Sequence, residues 1–143
     1  MSYIGYTGPV TMAKMVSLEE KNIPLPADFL ETLRPKNNGS HAVMILAPST
    51  RVIRIIPSKS DSVVKVAIEI DEISPDFLQE LGVVFMESKI KTLYSTGLCI
   101  TQETCVYEGF IDSSDIDLPV EQLESELQGI KGVSRVEITT LTT

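Results

Sequence analysis

The chain has 143 residues, 43% of them hydrophobic and 22% charged, and twelve basic against twenty acidic side chains give it a net charge of −8. That length holds one mature domain or two small ones, and the acidity argues against an unassisted binder of nucleic acid or anionic membrane. Two cysteines, Cys99 and Cys105, are too few for a disulfide framework or a four-thiolate zinc site within one chain, so a reducing compartment is the default expectation. The longest apolar runs, 43–48 and 52–57, are far shorter than the ~20 residues that span a bilayer. Met1 to Pro9 has neither a leading positive charge nor a long apolar stretch, so no secretory signal is read there. The expectation is a cytoplasmic protein with no membrane partner.

Charge is divided along the chain. Residues 1–60 hold seven basic and four acidic side chains, a net of +3, and residues 61–143 hold five and sixteen, a net of −11. The division coincides with the polar stretch Pro57-Ser58-Lys59-Ser60-Asp61-Ser62, which reads as a short linker. Two domains are therefore expected: 1–60, a small β-rich module, and 61–143. The competing reading is a single acidic fold with an N-terminal extension, in which residues 10–56 pack as strands on the C-terminal sheet.

In chain order, Met12 to Glu20 reads as a strand. Pro24 and Pro26 bar a central strand after it, and Pro26 suits the start of a brief helix over Ala27 to Leu33. Pro35, Asn37, Asn38 and Gly39 form a turn signal, and Ala42 to Ala47 and Arg51 to Ile56 follow as a hairpin around Pro48-Ser49-Thr50. Leu25-Pro26, Leu33 and Lys36-Asn37-Asn38-Gly39 give Lys21 to Ile56 a weak resemblance to an AbrB-type swapped-hairpin module. That resemblance implies an intertwined dimer that binds DNA through basic strands and loops, here Lys14, Lys21, Arg34 and Lys36.

Val63 to Ile70 is rich in β-branched residues and reads as a strand largely buried on both faces. Ser74-Pro75-Asp76 then supplies an N-cap, a proline at the first helical position and an acid in the first turn. Phe77, Leu78, Leu81, Val84 and Phe85 recur at helical spacing. Lys91 to Thr101 and Thr104 to Asp112 read as a hairpin, 117–130 as a second helix ended by Gly129 and Gly132, and Ser134 to Leu141 as a last strand. The order βαββαβ predicts an α+β, ferredoxin-like domain with both helices on one face of an antiparallel sheet.

Those elements, with the closing run Ile130-Lys131-Gly132-Val133-Ser134-Arg135-Val136-Glu137-Ile138, resemble an ACT domain over about residues 62–141. The resemblance implies a regulatory domain that pairs side by side with a second copy and binds an amino acid or another small effector where the domains meet. The ligand loop it implies spans Glu69 to Pro75, with Asp71, Glu72, Ile73 and Ser74 as contact residues. A neighbouring chain's Leu93, Tyr94, Ser95 and Thr96 would complete the site. The loop's own acids, Asp71 and Glu72, stand against an anionic ligand group.

Other chemistry is sparse. His41, the single histidine, reads as a solvated turn residue and rules out a multi-histidine metal site in one chain. Cys99 and Cys105 read as structural thiols whose shared or opposite sheet face depends on the register of their hairpin. Asp112, Asp115, Asp117, Glu121 and Glu124 read as a solvated rim without calcium-loop spacing. No phosphate loop, serine elbow or zinc helix motif occurs, so neither an enzyme nor a cofactor is expected. The leading expectation is a homodimeric, ligand-responsive transcriptional regulator with DNA on the N-terminal module and a small molecule at the C-terminal interface. The alternative is a stand-alone amino-acid-binding subunit that acts on an enzyme, and a third is an assembly module built on exposed sheet edges.

Overall fold

A run of β-branched residues can bury both faces of a strand, and β3 (Ser62–Ile70) does so in large part. Val64, Val66, Ile68 and Ile70 are buried on one face, and on the other Val63 is buried while Lys65, Ala67 and Glu69 are half-buried. The computed structural model describes residues 8–34, 40–71 and 74–143. Its elements in chain order are α1 (Ala27–Leu33), β1 (His41–Ala47), β2 (Val52–Ser58), β3, α2 (Pro75–Glu87), β4 (Tyr94–Cys99), β5 (Cys105–Asp112), α3 (Val120–Gln128) and β6 (Val133–Thr142). A single 3-10 turn at Ser113–Asp115 links β5 towards α3.

Strands β3 to β6 form one antiparallel sheet in the order β4-β5-β3-β6, with α2 after its first strand and α3 after its third. This is the ferredoxin-like arrangement that the order of elements predicts. Phe77 and Leu81 from α2, with Leu123 and Leu127 from α3, pack on Val66, Ile68, Ile111 and Val136. Leu123 and Leu127 are wholly buried, so truncating either to alanine is expected to cost about 2–5 kcal/mol. Leu78, read as part of the buried stripe, is 69% exposed, since the stripe is centred on Phe77 and Leu81. Gly132 turns the chain from α3 into β6 at φ 92°, where a side chain would be strained, and its carbonyl accepts the Asp71 N–H at 3.0 Å.

The chain divides into two compact units, Met1–Arg34 and Pro35–Thr143, not at residue 60. In the first unit, α1 forms where the sequence places it, but Met12 to Glu20 forms no strand and is exposed throughout. A single strand with no partner has nowhere to send its backbone hydrogen bonds. The hairpin β1–β2 also forms as read, but it belongs to the second unit. Val43, Ile45 and Ile56 pack on Val63, Phe110, Leu93 and Tyr94, the sheet face that the helices leave open. The strand, helix and hairpin of an AbrB-type module are thus not one body among the described residues, which corrects that part of the reading.

The expected linker is a clamp. Asp112, at the end of β5, is fully buried and accepts five hydrogen bonds from both sides of its carboxylate. The Lys59 and Ser60 N–H groups donate to Oδ2 and the Ser60 hydroxyl to Oδ1 at 2.7 Å. The Ser114 N–H and hydroxyl also donate to Oδ1, at 3.0 and 2.8 Å. Lys59 Nζ adds an ion pair with Asp115 at 3.0 Å. Polar residues alone do not make a linker when a buried carboxylate absorbs their backbone donors. Asp112 and Asp115 accordingly belong to this clamp and not to a solvated rim.

Candidate functional site

The residues carried over from the ACT resemblance fall at opposite ends of the sheet. Ile70 pairs with Cys105, and Cys105 with Cys99, so the loop beginning at Asp71 leaves the end at which β4 finishes. Tyr94 pairs with Phe110, which pairs with Lys65, at the far end. Five residues of strand separate Lys65 from Ile70, roughly 17 Å at the usual rise, and β5 lies between β3 and β4. One chain therefore does not bring the two groups of residues together. Asp71 is exposed, and Ser74 leads α2 in an extended conformation without a side-chain cap. Glu72 and Ile73 lie outside the described residues.

At the far end, Leu93 donates its N–H to the Phe110 carbonyl at 2.7 Å, and Tyr94 stacks at 6.4 Å on the Phe110 ring. Ser95 points to the helix side, where its hydroxyl bonds Tyr107; burial raises the Tyr107 phenol above its ordinary value, and that bond partly offsets the rise. Thr96 points to the opposite face, towards the hairpin. Sequence reasoning missed what this second face meets. β2 carries Arg54 over the Tyr94 ring, with its guanidinium carbon 5.0 Å from the centroid. Lys65 Nζ lies 5.8 Å from the Phe110 centroid and 3.1 Å from Glu108. The hairpin tip, β4 and Glu108 enclose a cleft of about 390 Å³. The signal for it was the alternation of 52–56, which puts Arg54 on the same side as the half-buried Ile56.

The basic residues assigned to DNA are dispersed in character. Lys14, one of the residues assigned to DNA, pairs with Asp28 at 3.4 Å. Lys21 and Arg34 have no acidic partner among the described residues, and Lys36 lies outside them. His41, expected in a turn, opens β1 and is half-buried, with Ser40 Oγ 3.4 Å from Nδ1. Cys99 and Cys105 face each other in the β4–β5 ladder and are joined as a disulfide, which replaces the expected pair of thiols and settles their register. No cluster of three metal-ligating side chains occurs among the described residues, and none of their helices is long and apolar enough to cross a membrane.

No protein-family profile and no curated protein matches the chain. Among solved structures it is similar to one provisionally described as a glycine cleavage system transcriptional repressor, at 14% identity and a TM-score of 0.43. The likeness covers 64% of this chain and 57% of that one, so it spans little more than half of the neighbour's length.

Proposed function

We propose that the chain is a ligand-responsive regulatory protein whose ferredoxin-like sheet binds a small effector, such as an amino acid, where two copies meet. The observation that carries this reading is the separation of the two groups of residues on a sheet whose β4 edge is exposed. Asp71 and Ser74 stand at one end, and Leu93 to Thr96 at the other, so a second copy is what brings complementary halves together. Exposed backbone donors and acceptors on an edge strand favour such pairing. Regulation then requires that the effector bind two dimer geometries unequally, typically by ~1–3 kcal/mol of coupling. Thermal-shift titration with the twenty amino acids tests the reading: a stabilising hit is expected to weaken in Asp71→Ala and Ser74→Ala. Light scattering is expected to show a dimer, and a concentration-independent monomer would remove the proposal.

A second reading, DNA binding by the first unit, is favoured by Lys21 and Arg34, which no described acid neutralises. Titration of labelled duplex DNA is expected to show affinity that falls with salt and is reduced in a Lys21→Ala/Arg34→Ala variant. Absence of binding at ~50 mM salt leaves the protein as a regulatory subunit that acts on an enzyme without nucleic acid. No catalytic step is part of either reading.

A further inference from the structure

The hairpin turns one face to the sheet, and beyond its closing pair His41–Ser58 that face is hydrocarbon except at Arg54. Val43, Ile45 and Ala47 of β1 and Val52 and Ile56 of β2 lie on the same side as Arg54, since Ile45 pairs with Arg54 and Ala47 with Val52. Arg54 is exposed at the mouth of the cleft beside these apolar side chains, where its guanidinium can take an anion from solvent. Other cations on this sheet face have one: Lys65 pairs with Glu108 at 3.1 Å and Arg135 with Glu137 at 3.0 Å. Arg54 has no carboxylate within 4.0 Å among the described residues, and its recorded contact is the Tyr94 ring. Stacking occupies the face of a guanidinium and leaves its in-plane N–H donors free for a bidentate carboxylate.

The space beside Arg54 sets the rest of the ligand. The cleft holds about 390 Å³ and is lined by Ile45, Ala47, Val52 and Leu98, with Thr96 on the sheet side. That is at the small end of the range for ligand cavities. Glu108 also lines it but is already engaged by Lys65, so the wall adds no second free cation and disfavours a dianion. We propose that this cleft binds a small monocarboxylate with a branched aliphatic body, its carboxylate on Arg54 and Thr96 and its hydrocarbon against the hairpin. The site lies within one chain and shares Tyr94 and Thr96 with the proposed half-site at Leu93 to Thr96, so it is the loop residue Asp71 that separates the two.

Isothermal titration of the full chain with 4-methylpentanoate tests it, with 4-methylpentanamide and acetate as probes that keep only the body or only the charge. The carboxylate is expected to bind at least ~10-fold more tightly than either probe, and Arg54→Gln is expected to remove that advantage. Tyr94→Leu, which takes away the ring beneath the guanidinium, is expected to weaken binding, while Asp71→Ala leaves it unchanged. Equal binding of acid and amide, binding unaffected by Arg54→Gln, or no heat with the acid would each overturn the proposal. Loss in Asp71→Ala with Arg54→Gln unaffected would place the ligand at the loop instead.

Discussion

Asp112 shows how one side chain can decide where a chain has a joint. Burial opposes its ionisation, but hydrogen bonds from Ser60 and Ser114 and the backbone N–H groups of Ser114 and Lys59 outweigh it and hold the carboxyl well below its ordinary value. A carboxyl whose value is depressed by folding contributes stability above its unfolded value, near ~3.9, and loses it progressively as pH falls below that. Asp112→Asn presents an amide donor to groups that are themselves donors, so it is expected to cost about 2–3 kcal/mol at neutral pH. The gap between the two proteins should narrow from about pH 4 downwards, as measured by melting temperature across the acid range. A gap that stays constant to pH 2 would mean that the carboxylate is not the source of the stability.

Among the elements, legibility followed local signals. α2 was readable because proline, acid and apolar stripe all agree at 75–85, and β3 because β-branched residues crowd 63–70. The hairpin β1–β2 was equally plain from Pro48-Ser49-Thr50, but its partner was not. Nothing local in Val43, Ile45 or Ile56 says whether they cover a helix, a second hairpin or Val63 and Phe110 of a sheet. Met12 to Glu20 failed for the converse reason, since alternation creates a strand only if another strand takes its hydrogen bonds. The residues of the proposed effector site came from a resemblance, whereas the Arg54 cleft depended on that unforeseen packing. The β4–β5 pair carries its own prediction. Its disulfide closes a short loop between residues 99 and 105, for which chain entropy gives about 2 kcal/mol. Reduction, or a Cys99→Ser/Cys105→Ser variant, is expected to lower the melting temperature and to raise amide exchange along β4 first, because β4 is an exposed edge.

For the whole molecule, the charge division suggested two bodies and the packing moved the border. Lys59 and the residues beside it are held to β5 and its following turn, so the positive hairpin shares a body with the acidic sheet. The first unit differs in kind: residues 8–25 are all exposed, and the seven-residue α1 buries no residue fully. So short a helix gains little from its own hydrogen bonds. Limited proteolysis is therefore expected to cut within 8–26 and to leave a product that contains residues 41–143 and retains the main melting transition. Early cleavage at 58–62 would contradict the clamp.

Fixing the hairpin at Ser58 while its other end closes through Pro48–Arg51 makes the assembly one-ended, like a book bound along a single spine. A solute bound for the space under β2 would arrive through the unbound margin. A bulky thiol adduct on a Ser49→Cys variant, at the tip that lines this space, should consequently slow both entry and exit.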